Sequence, residues 1–383
     1  MGMDVTIVGA GIVGAACARA LAASGARVTV LESRFPGCGA TAAGMGHVVV
    51  MDDSPAQLEL TGRGRALWNE LAADLPAEAE FRGTGTLWVA ADDAEMDEAR
   101  RKGLLLTAAG IASHVLDAGE LARSEPNLRA GLAGGLLVPD DAVVYPPPAA
   151  AALLATAVAH GATLLRESPV RDVVAADLPP GSVRLDDGRV IHGDAVVVAA
   201  GAEAVRLLPG LPVRPRKGHL VITDRAPGFL TRQVIELGYV KRAHDVGTDS
   251  VAFNVQPRAT GQLLIGSSRQ IDVTSRDSDR AILRAMLDRC LDYMPGLAAL
   301  PAIRAWTGFR AATPDGLPLV GPWEQSPGIW LATGHEGLGI TTSLATAEIT
   351  AAQLMGTPCP LDPSPYLPAR LSTAAAAARE HSA

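Results

Sequence analysis

Apolar and polar positions follow two rhythms along this chain, and the change between them divides it. The opening run Val5 to Val8 is short and β-rich, which predicts a buried strand running into Gly9. An alanine-rich helix over 12–24 follows, with Gly25 where a C-cap belongs. A second strand, 27–31, ends in Glu32. Residues 33–47 are mostly small, and a purely solvated loop would carry more charge, so this backbone is expected to lie against something flat or charged. Helical spacing of apolar residues predicts helices over 57–75 and 92–109, with a strand at 86–90 between them. A short helix at 117–125 stops at Pro126, and 131–138 reads as a strand. Pro146-Pro147-Pro148 reads as a stiff boundary before an alanine-rich helix at 149–160. Strands at 163–166 and 170–175 come next, then a hairpin, 182–185 with 190–191, turning at Asp187-Gly188. Residues 195–201 read as a buried parallel strand ending in small residues.

Between 218 and 270 the rhythm becomes strict alternation, predicting antiparallel strands at 219–223, 233–240, 251–255 and 262–266. A helix at 279–293 follows, and the first texture then returns: a strand at 306–311, a turn at Pro314-Asp315-Gly316, a strand at 329–332, a glycine loop at 334–339 and a helix at 341–354. The proline- and alanine-rich tail, 358–383, is expected to wrap the surface or fray. The expected fold is α/β plus antiparallel β. Segments 1–49, 144–215 and 306–383 form a discontinuous Rossmann-like domain, and 50–143 with 216–305 form an inserted, mostly antiparallel substrate or partner domain.

The candidate chemistry begins at the first turn. Gly9-x-Gly11-x-x-Gly14 stands between strand and helix, with Glu32 closing the next strand, which is the pattern of a dinucleotide site. Gly9 permits the tight turn, Gly11 lets backbone approach a pyrophosphate, and Gly14 lets the helix pack on the strand. Ala10, Ile12 and Val13 complete that turn, where free N–H groups and the helix dipole favour an anion. Glu32 is placed to accept from ribose hydroxyls, with Ser33 and Arg34 beside it. An ordinary βαβ unit with a glycine turn is the competing reading. Composition adds exclusions. A length of 383 residues allows two domains, and a net charge of −8 with a pI near 5.5 argues against a nucleic-acid partner. The four cysteines are scattered, so they suggest neither a disulfide framework nor a metal or iron–sulfur site, and they fit a reducing cytosol. The apolar N-terminus lacks a basic leader and is broken by glycines, so it is expected to be a βα unit rather than a signal peptide. No run approaches the roughly twenty apolar residues of a membrane span. The expectation is a soluble, cytoplasmic protein.

With these motifs in order, the chain resembles the FAD-dependent oxidoreductases of the D-amino-acid oxidase and glycine oxidase type along nearly its whole length. Gly9 to Gly14 with Glu32 is similar to that family's adenosine half, and Val170 to its adenine-contacting position. Ala40, Thr41, Ala43, Gly44, Met45 and Gly46 resemble its loop against the isoalloxazine, and Ala200-Gly201 its small-residue strand end. Trp306-Thr307-Gly308-Phe309-Arg310 with Thr313 to Pro318 resembles its carboxylate-arginine motif. Gly334, Gly337, Leu338, Gly339, Ile340 and Thr341 resemble the loop and helix start whose amides face the flavin pyrimidine. A narrower likeness, carried by Ala43 to His47, Arg216 to Leu220, Phe253 to Arg258, Gly266 to Gln270 and Gly334 to Thr342, is to β subunits of bacterial dehydrogenases for D-hydroxyproline, proline or opines. That likeness implies partner subunits carrying a second flavin and a [2Fe-2S] centre, with FMN at a subunit junction as a further implied cofactor. Two positions depart from glycine oxidase: Asn254 stands where it has a substrate-facing tyrosine, and Gly337 where its glycine loop has an arginine. Covalent-flavin relatives use a cysteine near the carboxylate motif, and 306–321 has none, so the FAD is expected to be non-covalent.

The resemblance implies oxidation of a small amino or imino acid at carbon by hydride transfer to flavin N5. Arg310 has the fork to grip the substrate carboxylate, or else forms a structural ion pair. His47 orients substrate or is simply packed, and Asn254 and Arg269 line the pocket roof or the sheet surface. Glu336 pairs with a substrate ammonium or with a neighbouring cation, while Lys217 and His219 are candidates to face a partner. A free-standing oxidase making hydrogen peroxide, a nicotinamide dehydrogenase and a flavin-carrying structural subunit are the alternatives. The small-residue loop and the C-terminal glycine loop weigh against the nicotinamide reading, and Arg310 against the structural one.

Overall fold

The computed structural model describes residues 2–175, 177–238 and 249–371. Strand Asp4–Val8 passes through the glycine turn into helix Ile12–Ala23 and returns as strand Arg27–Leu31, parallel to the first. These strands lie within a six-stranded sheet ordered 319–322, 329–333, 195–198, 4–8, 27–31, 163–165. All of its pairs are parallel except the first. Three stretches far apart in sequence therefore build one sheet. The central strand 195–198 reads as a continuous apolar run, wholly buried, because both faces of the sheet are covered there. Helices Ile12–Ala23, Pro146–Ala159 and Gly339–Met355 share one core with one face, and alanine at Ala15, Ala18, Ala150 and Ala347 lets them pack closely. A three-stranded sheet carrying Val170, Val183 and Leu185 contributes to the core on the other face.

The second layer is a nine-stranded sheet in which only the pairing of Gln233–Glu236 with Thr86–Ala90 is parallel. Helix Arg280–Tyr293 packs on one face around Phe253 and Val255, and helix Asp93–Ala108 packs with Trp88, Ala90 and Leu136 on the other. Side chains of Asp92 and Asp279 cap these helices at their N-termini. Strand Ala302–Ala312 belongs to this sheet, pairing along its length with Arg214–Thr223, and so runs across the expected boundary at 306. Helix Pro55–Leu71, expected in the inserted domain, packs on helix Gly339–Met355, with Trp68 in the core of the first layer.

Local differences have local causes. The three prolines form the first turn of helix Pro146–Ala159 rather than a boundary, because first-turn N–H groups have no intrahelical acceptor to lose. The small-residue segment contains a helical turn, Ala40–Ala43. Strands Arg214–Thr223 and Leu263–Ile271 extend beyond the alternating positions because cross-strand partners continue the ladder. The strand expected over 233–240 ends at Glu236, with residues 239 and 240 outside the described residues. In the tail, Tyr366 is buried and donates its hydroxyl to Ala56 O, whereas 372–383 lie outside the described residues.

Candidate active site

A cavity of about 460 Å³ runs between the two layers, from the first glycine turn to the middle strands of the nine-stranded sheet. At the first end Gly9 adopts φ +109°, and a methyl on Gly14 would stand 1.9 Å from Gly9 O, so helix and strand meet backbone to backbone. Glu32 is buried; its Oε2 accepts from Ala10 N–H at 2.9 Å and its Oε1 from Arg34 N–H at 2.9 Å. Oε2 keeps a lone pair for a hydroxyl donor. Gly11 offers no side-chain cap, and Thr41 Oγ1 accepts from Ile12 N–H at 2.9 Å. The N–H groups of Val13 and Gly14 have no intrahelical acceptor and remain for an anion. Val170, Ser168, Arg206 and Leu207 line this end with Glu32, Ser33 and Arg34. A buried acceptor, an uncapped helix start and an apolar slot suit the ribose, pyrophosphate and adenine of a dinucleotide.

The middle of the cavity is walled by Ala40, Thr41, Ala43, Gly44, Met45 and Gly46 on one side and by Ala200, Gly201, Gly334, Gly337, Gly339 and Ile340 on the other. The loop is fixed from three directions. Gln256 Nε2 donates to Met45 O at 2.9 Å, Trp306 Nε1 to Ala43 O at 3.4 Å, and Thr341 Oγ1 to His47 O at 2.9 Å. The final helix starts at Gly339, two residues before the expected start, with no side-chain cap at Leu338. Ala10, Gly14, Leu338, Thr341 and Arg269 lie off the wall, among the expected site positions. Ala10 and Thr341 act through the hydrogen bonds just given, and Leu338 is the residue before the helix.

Arg310, His47, Asn254 and Glu336 meet at the far end. The Arg310 guanidinium lies between Gly218 and Gly337, and its Nη1 donates to Ser268 O at 2.9 Å. Glu336, at φ +49°, has its Oε1 3.4 Å from both Arg216 Nη1 and Arg269 Nε, and its Oε2 accepts from Gly337 N–H at 2.5 Å. Burial pushes this carboxyl up, but Arg269, Arg310, Arg216 and the Gly337 N–H outweigh burial and hold it below its usual value. Glu336 is therefore already paired with two guanidinium groups. His47 is pushed down to about 4 by burial and by the nearby Arg310 charge, so its ring is neutral. Lys217 and His219 do not face outward. Lys217 Nζ donates to Asp277 O at 2.5 Å, and His219 Nε2 accepts from Asp279 N–H at 3.0 Å, beneath the strand that carries them. His219 also lines the cavity, as do Gly218, Leu220, Ser267, Arg276 and Phe309, which were not expected as site residues. Gly218 and Leu220 share a face of one strand, a period-two signal that the short expected strand at 219–223 cut off.

A model of the family "FAD dependent oxidoreductase" (DAO) matches residues 4–353. The chain belongs to that family. The chain is similar to a glycine oxidase of Pseudomonas aeruginosa, 30% identical over 96% of this chain and 99% of that protein's length. One of the subunits of an opine oxidase from Rhizobium meliloti is 26% identical, covering 92% and 93%. Among solved structures, glycine oxidase from Geobacillus kaustophilus superposes with a TM-score of 0.85 at 28% identity, covering 95% of this chain and 98% of that one. Iminodiacetate oxidase from Chelativorans sp. BNC1 gives 0.80 at 29%, covering 95% and 98%. The FAD oxidoreductase is thus an enzyme of the amino acid oxidase and dehydrogenase type, with the fold expected from sequence and FAD as its cofactor. No helix among the described residues is long and apolar enough to cross a membrane.

Proposed function

We propose that this chain oxidises the amine of a cyclic or N-substituted amino acid, such as D-hydroxyproline, proline or an opine, and passes the electrons to a partner subunit. The observation that carries this reading is Arg310, a guanidinium at the cavity end opposite Glu32, seated between two glycines and joined to Ser268 O. Bound FAD supplies the hydride acceptor at N5. Arg310 grips the substrate carboxylate with its fork, and the wall at Asn254 and His47 orients the amine beside it. Glu336 with Arg216 and Arg269 steadies the arginine cluster. The uncapped helix start at Gly339 presents N–H groups toward developing negative charge. A neutral His47 adds no second positive charge beside the substrate nitrogen.

Cys38, the cysteine on the cavity wall among the described residues, stands 3.7 Å from Glu32 Oε1, at the adenosine end, which supports a non-covalent flavin. Similarity to a protein that is itself one subunit of an opine oxidase supports assembly with partners. Such partners would carry a second flavin and a [2Fe-2S] centre, with FMN at the junction. Four free cysteines support a cytoplasmic location.

A second reading, a free-standing oxidase, is favoured by the likeness to glycine oxidases. The holo chain separates the two. We expect anaerobic bleaching of the flavin by one of these imino acids, slow reoxidation in air and fast turnover with an artificial dye. Stoichiometric hydrogen peroxide at the rate of substrate loss would establish the oxidase, and no bleaching by any amino or imino acid would overturn both.

A further inference from the structure

From His47 and Asn254 on the cavity wall a row of buried polar side chains runs back into the protein, and beyond those two the proposed reaction does not use it. Asn254 and Gln256 alternate with Phe253 and Val255, so they share the face of the sheet turned toward the loop at Met45. The register Val234↔Val255 continues to set Gln233 opposite Gln256, and Gln233 is in turn paired with Thr86. Thr86 adjoins the Asp141 carboxyl, whose Oδ1 accepts from Arg65 Nη1 at 3.1 Å. Thr86, Gln233 and Asp141 are 0% exposed, Gln256 2% and Asn254 5%. Along this row His47 Nε2, Asn254 Oδ1, Gln256 Oε1 and both amide atoms of Gln233 have no hydrogen-bond partner among the described residues, and the Thr86 hydroxyl joins the row to the Asp141 carboxyl.

Buried polar groups almost always find partners, and orphans gathered in one row point to ordered water held among them. We propose that this row holds a chain of water molecules which carries the proton released by the substrate amine away from the cavity to Asp141. This rests on the reading that the substrate is an amino or imino acid. Its ammonium must lose one proton before the nitrogen lone pair can assist departure of hydride from carbon. The N–H bond breaks, nitrogen keeps the electron pair, and the proton passes beside His47 and along the waters, while at the far end the Asp141 carboxylate takes one up. Arg65, from helix Pro55–Leu71, is the charged group paired with Asp141, and its other neighbours are Thr86 and the Val50 backbone. At the cavity end, Arg310 is the charge acting on His47. Burial raises the Asp141 carboxyl to about 6, which makes it a better proton acceptor than an ordinary carboxylate.

The test uses the FAD-loaded enzyme and its variants Gln233→Leu and Asp141→Asn, with Thr86→Val as the mildest change. Flavin content and melting temperature establish that each is folded. The rate of anaerobic flavin bleaching is then followed from pH 6 to 10. We expect variant rates at least about tenfold below wild type at low pH, converging on wild type at high pH, where the amine arrives already neutral. Equal loss at every pH, or no loss, overturns the proposal. A high-resolution crystal structure is the independent readout: waters bonded to Gln233 and Asp141 support it, and a dry row sinks it. Failure of the wild-type flavin to bleach with any amino or imino acid would instead strike the functional reading, leaving the crystallographic test standing.

Discussion

A single methyl group added at Gly218 tests whether the seat of Arg310 sets substrate recognition. Built on the observed backbone, the new Cβ would lie 2.6 Å from Arg310 Nη1 and 3.0 Å from both Cζ and Nη2. Non-bonded heavy atoms prefer about 3.5 Å or more, so one side must move by about 1 Å. Gly218 is fixed on a strand paired on both sides, whereas the guanidinium is the far end of a flexible side chain, so Arg310 moves. A misplacement of about 1 Å in a group that positions substrate costs up to about 100-fold in rate. Gly218→Ala is therefore expected to lower kcat/KM for a carboxylate substrate by about 10- to 100-fold, or about 1.4 to 2.7 kcal/mol in the transition state. FAD content should be unchanged, because the methyl points at Arg310. The assay is anaerobic flavin bleaching with the amino acid and with the matching amine lacking the carboxylate. The preference for the carboxylate form should shrink. A kcat/KM within twofold of wild type, or a loss that merely follows lost FAD, would refute the assigned role of Arg310.

Two neighbouring glycines in helix Pro55–Leu71 should respond oppositely. Gly62→Ala meets nothing within 4 Å and should raise stability by about 0.5–1 kcal/mol, read as a higher urea midpoint. Gly64→Ala would put a methyl 2.3 Å from Thr341 O, backbone against backbone, so it should cost about 1–3 kcal/mol and loosen FAD, measured by flavin retention on gel filtration. His335 is buried and pushed down to about 4 by burial, so the folded state keeps it neutral while the unfolded chain protonates it below about 6.5. Its share of stability is full above that value and is lost as pH falls toward 4, about 2 kcal/mol of it by pH 5. In urea titrations His335→Gln should flatten the loss between pH 7 and 5, and an unchanged slope would disprove it. The purified chain should be yellow and release FAD into the supernatant on acid precipitation, and flavin left in the pellet would show a covalent link.

Helices Ile12–Ala23, Asp93–Ala108 and Arg280–Tyr293 were legible in the sequence to within a residue or two, because apolar period and capping side chains are local properties. The same locality makes the glycine turn and Glu32 visible, since twenty-odd residues contain the whole βαβ unit. Pairings between distant segments were not legible. That strand Ala302–Ala312 joins Arg214–Thr223, setting Arg310 beside Arg216, depends on cross-strand register over nearly a hundred residues, which no local period encodes. The same register turns Lys217 and His219 inward and brings Arg216 and Arg269 to Glu336. Pattern alone determined the local strand–turn–helix units and marked the first glycine turn as the expected dinucleotide site. Tertiary structure decided which charges share a cavity, because a side chain's electrostatic surroundings come from whichever strands lie next to it, and burial strengthens those interactions only once the layers have closed.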